Sequence, residues 1–316
     1  MLLSASHVAA QSPQPAPSRS TVASVEARPT ITFKSGVSNV RIDAQVTENG
    51  ELIKDLTKND FIVTEENRPQ ELIYFGREAE PLSLMLLLDV SGSMRKYVEQ
   101  IALISRQALR RLRKGDRVAI MLFSKGTKVV LPFTDDLDAV AEAIRSAAED
   151  QSMSPYTAIN DGLLDAAKYT DQHGGETGRH AILIVTDNLG LNYQSPDAPV
   201  ISAMYEADAV LSAIVVGKGQ KPEAPRTDRP LNPDFSVPDV FKIAEETGGE
   251  AVKANKASEA FTEMIERIRT RYSLQYRTPE NAKPGFHAVR VQLTPEAQRR
   301  YPYAIIRARK GYTIKP

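Results

Sequence analysis

The strongest constraint on the fold is an apolar run that ends in an acidic residue, within residues 84–94. Five consecutive apolar residues, 84–88, lead directly into Asp89. A run of this length without polar alternation is typical of a strand buried on both faces, as in a parallel sheet covered by helices. Because open α/β sheets bind their ligands at the carboxyl ends of such strands, we expect Asp89 to lie at a ligand-binding edge.

Two hydroxyl groups follow this aspartate at alternate positions, on Ser91 and Ser93. One carboxylate and two hydroxyls offer only oxygen ligands, which suit a hard divalent cation. Gly92, between the two serines, is expected to let the chain turn tightly around the ion. The sequence therefore predicts a cation site directly after this strand.

Predicted strands and helices alternate over residues 81–270, and this order predicts a doubly wound, mostly parallel α/β sheet with helices on both faces. A second apolar run, residues 181–185, is followed by Thr186 and ends in Asp187. Apolar spacing predicts helices over residues 97–112, 135–148, 157–170, 198–207, 238–247 and 258–269.

The segments on either side of this domain, residues 30–80 and 271–316, are predicted to be rich in β-strands, beginning with a strand at residues 31–33. About four short strands rarely form a stable sandwich alone. We therefore expect the two segments to pair with each other as one β-sandwich, into which the α/β domain is inserted. The alternative is two small β appendages that pack separately on the α/β core.

Residues 1–29 are predicted to be a leader and a Pro-rich flexible tether, because their apolar content is too low to fold. Residues 8–10, Val-Ala-Ala, resemble the end of a secretory signal, although the basic start and the full apolar stretch are missing. The alternative is a disordered leader. We expect an exported protein, periplasmic or secreted, and the absence of cysteine is compatible with that compartment.

Composition excludes several function classes. Lys and Arg together number 40, as do Asp and Glu, so the formal net charge is zero. This balance argues against a general partner role with nucleic acid or an anionic membrane. Without cysteine, thiolate catalysis and Cys-ligated zinc are excluded. No segment reaches the ~18 to 20 apolar residues of a membrane span.

The motif Asp89-x-Ser91-x-Ser93 after an apolar strand resembles the metal-ion-dependent adhesion site (MIDAS) of von Willebrand factor A domains. Residues 156–163, Y-T-A-I-N-D-G-L, resemble the segment that carries the family's threonine ligand, and residues 182–187 resemble the strand that ends in its last aspartate. The resemblance covers about residues 81–270. It implies the metal ligands Asp89, Ser91, Ser93, Thr157 and Asp187. The family usually has Gly after the last aspartate, where this chain has Asn188.

The resemblance also implies a cofactor, a partner and a function. The cation would be Mg²⁺, or else Mn²⁺ or Ca²⁺. Five protein ligands leave one position of an octahedral ion open. In the family an acidic group of another protein takes that position. The expected function is therefore metal-ion-dependent, adhesion-type protein binding, without enzymatic activity and without a small-molecule substrate.

Two alternatives belong to other function classes. The first is a metal-dependent hydrolase or phosphotransfer enzyme, since an aspartate at a strand end is also the nucleophile of haloacid-dehalogenase-type phosphatases. Those enzymes need an acid two residues later, where this chain has Ser91, and no G-x-S-x-G or phosphate-binding glycine loop is present. The second is a scaffold in which the metal site is degenerate.

The flanking segments extend the resemblance. Asp60-Phe61-x-Val63-x-Glu65 ahead of the domain and Tyr272-x-Leu274-x-Tyr276 behind it resemble bacterial exported proteins with an acidobacterial-type von Willebrand factor A domain. The members of that family are mostly uncharacterised, so this resemblance implies architecture more than function.

Overall fold

The computed structural model of the chain describes residues 39–77, 80–149, 156–222, 234–279 and 282–314. The predicted leader at residues 1–29 and the predicted strand at residues 31–33 lie outside these ranges.

The strands and helices of the described residues follow one another in three groups: mainly β, then alternating α/β, then mainly β. The strands are β1 (Asn39–Glu48), β2 (Glu51–Leu52), β3 (Phe61–Glu65), β4 (Arg68–Gln70), β5 (Leu72–Arg77), β6 (Leu82–Asp89), β7 (Arg117–Phe123), β8 (Thr127–Thr134), β9 (Arg179–Thr186), β10 (Asn192–Tyr193), β11 (Ala209–Val216), β12 (Phe235–Ser236), β13 (Ala251–Ala254), β14 (Tyr272–Arg277), β15 (Gly285–Leu293), β16 (Ile305–Arg307) and β17 (Gly311–Ile314). The helices are α1 (Arg95–Leu109), α2 (Leu137–Glu149), α3 (Ile159–His173), α4 (Asp197–Glu206), α5 (Val240–Thr247), α6 (Ala257–Arg269) and α7 (Pro295–Arg300).

Six strands form the central sheet, in the order β13-β11-β9-β6-β7-β8. All neighbours are parallel except β8, which runs antiparallel to β7. Every residue of β6, β9 and β11 is buried. Such burial on both faces explains why these strands appear in the sequence as mainly apolar runs, unbroken over residues 84–88 and 181–185.

Helices cover both faces of this sheet. Buried residues of α1, α2 and α6 share one core cluster with one face of the strands, and those of α3, α4 and α5 share a second cluster with the other face. The prediction of a mostly parallel α/β sheet covered on both sides is confirmed for the described residues. The parallel strands all bring their carboxyl ends to one edge, which is where a ligand site belongs.

Two antiparallel sheets are built from the segments before and after the α/β domain. One has the order β16-β1-β14-β5, with β2 paired to β1, and the other has the order β17-β15-β3-β4. Each therefore joins N-terminal to C-terminal strands, for example β1 to β14 and β3 to β15. Apolar side chains from both sheets form a single core cluster that includes Ile42, Val63, Leu274 and Val289.

Buried charged groups lie where β1 meets the α/β domain. The Arg179 guanidinium, at the start of β9, binds the Asp43 carboxylate of β1 at 2.8 Å and also donates to the carbonyl oxygens of Ile268 and Arg269. Arg271 donates to the backbone carbonyl of Asp43, and its burial lowers its pKa to about 10. Polar contacts therefore tie this strand to the α/β domain.

Among the described residues, no helix combines the length and the apolar character needed to cross a lipid bilayer.

Candidate metal centre

The candidate site lies at the carboxyl edge of the central sheet, where β6 runs between β9 and β7. Asp89 is the last residue of β6 and pairs in register with Phe123, the last residue of β7. Asp187 directly follows Thr186, the last residue of β9. Because these strands are parallel, both aspartates lie at the same edge of the sheet, the one formed by the carboxyl ends of the strands.

The Asp89 carboxylate is fully buried. Its Oδ1 accepts a hydrogen bond from the backbone N–H of Ser91 at 2.9 Å, and its Oδ2 accepts one from the Thr186 hydroxyl at 2.8 Å. Burial raises the pKa of Asp89 to about 6, although these hydrogen bonds oppose the shift. The negative charge of Asp187 adds to the increase. A bound divalent cation would favour the ionised form of this carboxyl group.

The two serine hydroxyls connect the two aspartates. Ser91 Oγ and Ser93 Oγ lie 3.4 Å apart, and the Ser93 hydroxyl donates to Asp187 Oδ2 at 2.7 Å. Ser91 and Asp187 are nearly buried, whereas Ser93 is exposed. The oxygen cluster therefore opens to solvent on the Ser93 side.

Thr157, the remaining predicted ligand, lies just before α3 and is half-buried. The next residue, Ala158, donates its backbone N–H to the Ser124 carbonyl at 2.7 Å, which ties this segment to the end of β7. On its other side the segment contacts the loop after Asp187: a Cβ added to Gly190 would lie 2.7 Å from the Thr157 carbonyl oxygen. Thr157 is thus held between the loops that follow β7 and β9.

The five residues fit a hard cation in their chemistry, and the side-chain oxygens of Ser91, Ser93 and Asp187 also fit it in their spacing. All five side chains are oxygen donors, and adjacent ligands of an octahedral Mg²⁺ lie about 2.9 Å apart, given Mg–O distances of about 2.0 to 2.1 Å. The 2.7 Å and 3.4 Å separations between the hydroxyl and carboxylate oxygens bracket that value. No group of three or more His, Asp or Glu side chains suited to a metal occurs in the described ranges, and the candidate set has only two carboxylates.

Thr186 positions the site but was not singled out from the sequence, whereas Asn188 was noted there only as a departure from the family's usual Gly. Thr186 donates to Asp89 and accepts the backbone N–H of Asn188 at 3.1 Å, so its hydroxyl links the ends of β6 and β9. Asn188 has a φ of 51°, in the left-handed region that Asn tolerates better than most residues. The change from the family's usual Gly to Asn188 therefore keeps the backbone conformation that Gly would supply. The feature of the sequence that could have indicated this support is Thr186 itself, a polar residue at the end of an apolar run and just before Asp187.

Gly190 constrains this site, whereas Gly92, which the sequence suggested, does not. A Cβ added to Gly92 would meet no atom within 4 Å, and its φ is not in the left-handed region. Gly190 has a φ of 149° and faces the Thr157 backbone. The chain does turn at Gly92, where the Met94 N–H donates to the Ser91 carbonyl at 2.9 Å, but this turn does not require glycine.

We expect Gly190→Ala to weaken metal binding by about 10- to 100-fold, as is typical when a residue supporting a ligand is changed. The added methyl group would push Thr157 away, because the nearest atom is backbone oxygen. Calorimetric titration of Mn²⁺ into each purified variant measures the effect. Gly92→Ala is the matched control, with an expected affinity within about twofold of wild type because its methyl group would enter open space. Equal affinities for the two variants would contradict this account of the loop.

A family model described as "von Willebrand factor type A domain" matches residues 84–190. This range includes all five candidate ligands. No curated protein matches the chain.

Parts of this chain are also similar to solved structures. An aerotolerance-related membrane protein from Bacteroides fragilis is 19% identical, with a TM-score of 0.43, over 59% of this chain and 98% of that one. A von Willebrand factor type A protein from Catenulispora acidiphila is 13% identical, with a TM-score of 0.45, over 83% of this chain and 71% of that one. Proximal thread matrix protein 1 from the mussel byssus, in a structure with a zinc-occupied MIDAS motif, is 15% identical, with a TM-score of 0.45, over 61% of this chain and 50% of that one.

The inserted α/β part combines a mostly parallel sheet, helices on both faces and two strand-end aspartates joined through serines, and its first half matches the family model. Residues 84–190 are therefore similar to the von Willebrand factor type A domain family.

Proposed function

We propose that this chain is a metal-ion-dependent protein-binding module of the adhesion type. Asp89, Ser91, Ser93, Thr157 and Asp187 would hold one divalent cation, Mg²⁺ or alternatively Mn²⁺ or Ca²⁺. An acidic side chain or carboxyl terminus of a partner protein would complete the coordination. Von Willebrand factor type A domains are typically interaction modules, and we propose neither a catalytic step nor a small-molecule substrate.

The observation that carries this proposal is the hydrogen bond between Ser93 and Asp187. It joins residues 94 positions apart in the sequence at 2.7 Å, on the solvent side of a buried carboxylate. Two carboxylates with one divalent cation carry no net charge, so an incoming acidic group would not be repelled. The exposed position of Ser93 leaves the open coordination position accessible from outside.

The candidate ligands would have different roles in binding the cation. Asp89, buried and held by Ser91 and Thr186, would supply a fixed negative charge beneath the ion. The serine hydroxyls and Asp187 would orient the ion towards solvent. When bound, the cation would supply the positive charge that attracts and directs a carboxylate of the partner.

Metal titration tests the first half of the proposal. We expect wild type to bind Mg²⁺ or Mn²⁺ in calorimetry and Asp187→Ala to show no measurable binding, because one of two charged ligands is lost. Asp135→Ala, which removes an exposed carboxylate before α2, is the control and should titrate like wild type. Wild type that shows no heat with either ion would support the alternative of a scaffold with a degenerate site.

Partner capture tests the second half. Proteins retained by the immobilised chain in Mg²⁺ should elute with EDTA and should not be retained by Asp187→Ala. Partners that stay bound under EDTA and bind Asp187→Ala equally well would refute metal-dependent recognition.

We infer further that residues 30–80 and 271–316 form one β-sandwich around the insertion at residues 81–270, as in the acidobacterial-type group. The pairing of β1 with β14 and of β3 with β15, and their shared core, support this inference. The quoted flanking motifs lie on β3 and β14, which belong to these sheets. Export to the periplasm or beyond is proposed with it, and fractionation of the native host's cells would test the compartment.

A further inference from the structure

One face of the α/β domain exposes an unusual concentration of large apolar side chains. Twelve large apolar residues are exposed in the part of the chain that the structure describes. Six of them, between 43% and 72% exposed, lie on the segments just before α3, after β9 and before α5. We call this group the apolar ridge, and its members are Tyr156, Leu189, Leu191, Tyr193, Phe235 and Val237. Contiguous exposed apolar surface on a soluble domain commonly marks an interaction site.

Contacts between its segments show that the ridge is one surface. Gly190, between two of the leucines, lies against Thr157, next to Tyr156. β10 pairs with β12, and the Tyr193 and Phe235 rings on these strands have centroids 5.2 Å apart. The ridge therefore runs continuously from the start of α3 across the β10–β12 pair.

The ridge also begins at a candidate metal ligand. The backbone N–H of Leu189 donates to Asp187 Oδ1 at 3.1 Å. Leu191 and Tyr193 follow at alternate positions, within a few residues of that carboxylate.

Exposed lysines lie on the segments that follow β6, β7 and β11, at the same edge of the sheet as the candidate site. Lys125 follows β7, and Lys218 follows β11; both are exposed. Lys96, at the start of α1, is also exposed. Its neighbour Tyr97 lies against Gly217, the residue before Lys218: a Cβ added to Gly217 would lie 3.1 Å from the Tyr97 hydroxyl. Within the described part of the chain, none of the three lysines has a salt-bridge partner. These lysines would favour acidic groups on a segment already held through one carboxylate.

We propose that the partner presents an extended protein segment that combines acidic residues with bulky apolar side chains. One carboxylate would complete the metal coordination, neighbouring apolar side chains would pack on the apolar ridge, and further acidic residues would face the lysines. The proposal rests on the metal-dependent function proposed above and adds the chemistry of the partner.

Selection from a displayed library of random 12-residue peptides tests this proposal with the full chain immobilised in Mg²⁺. We expect the selected peptides to be enriched in Asp or Glu within a few residues of Leu, Ile, Phe or Tyr. A synthetic copy of a selected peptide should bind the double variant Leu191→Ser, Phe235→Ser at least about 10-fold more weakly than wild type. Both positions are exposed, so this variant should fold and should bind Mg²⁺ like wild type.

Two further variants separate the contributions. Leu103→Ser alters an apolar residue that is 86% exposed on α1, outside the ridge, and should bind the peptide like wild type. The double variant Lys125→Glu, Lys218→Glu should bind more weakly and with less dependence on salt.

The outcomes distinguish failure of this inference from failure of the proposed function. Peptides that need Mg²⁺ but bind the ridge variant normally, or that lack apolar residues, would overturn this inference and leave the proposed function standing. A selection without binders, using protein that titrates with Mg²⁺, would do the same. Peptides that bind equally well with EDTA and to Asp187→Ala would overturn both.

Discussion

Replacing Asp43 with alanine should lower the free energy of unfolding by about 3 to 5 kcal/mol, the usual cost of removing one partner of a buried ion pair. Arg179 would stay buried, at 2% exposure, with its positive charge uncompensated. Its two hydrogen bonds to backbone carbonyls would remain but carry no formal negative charge. Urea unfolding followed by circular dichroism measures the change.

An exposed ion pair provides the control for this prediction. Arg299 and Glu296 both have side chains that are 72% exposed, so Arg299→Ala should change the unfolding free energy by less than about 1 kcal/mol. If Asp43→Ala costs no more than Arg299→Ala, the buried pair contributes little to stability.

The same pair predicts a pH dependence. Burial alone would raise the pKa of Asp43, but Arg179 and the nearby Arg41 and Arg271 hold it below its ordinary value. A carboxyl group with a lowered pKa in the folded state stabilises the protein above its unfolded pKa of about 4, and this contribution is lost as the pH falls further. The stability difference between wild type and Asp43→Ala should therefore shrink below about pH 4.

Gly249→Ala should destabilise the protein by about 3 kcal/mol, at the upper end of typical overpacking effects. A Cβ at this position would lie 1.7 Å from the carbonyl oxygen of Leu211 and 2.6 Å from its carbonyl carbon. Leu211 is fully buried in β11, which pairs with strands on both sides, so its backbone cannot move aside cheaply. Thermal and urea unfolding measure the loss.

Gly126→Ala is the matched control for this second prediction. A Cβ there would meet no atom within 4 Å, and its φ lies outside the left-handed region. We expect its stability to stay within about 1 kcal/mol of wild type, because loop glycine to alanine changes in compatible conformations have small effects. If the two variants are equally stable, the backbone of β11 can shift at little cost and this prediction is wrong.

The α/β domain could be predicted from the sequence because strands that are buried on both faces consist mainly of consecutive apolar residues. The middles of β6 and β9 are apolar throughout, the middle of β11 is apolar except for Ser212, and the helices between these strands keep one apolar face. Two-residue strands such as β10 and β12 leave no comparable pattern, since their pairing depends on contacts between distant loops. Helix α7 was not predicted either, because its six residues are too few for a periodic apolar pattern, although Thr294 caps it.

The candidate site was partly readable in the same way. Asp89 and Asp187 end apolar runs, and the structure brings them to one edge with Ser91 and Ser93 between them. The support from Thr186 could not be predicted, because a hydroxyl at a strand end has many possible partners. The junction of Asp43 with Arg179 was equally hidden, since these residues are 136 positions apart and neither belongs to a motif.

The pairing of β5 with β14 has a consequence for how the chain folds. Arg77 and Tyr272 are partners in that ladder, with the whole α/β domain between them. Closing a loop of this length in an unfolded chain costs about 5 kcal/mol of entropy. If the inserted domain folds first, the unfolded loop is much shorter and the entropic cost of pairing β5 with β14 is smaller. During synthesis β1 must wait for both of its long-range partners, β14 and β16, which emerge last. Until then β1 is paired only at Thr47 and Glu48, with β2, and the rest of its edges is open to other chains. The ribosome-bound intermediate is therefore exposed to aggregation.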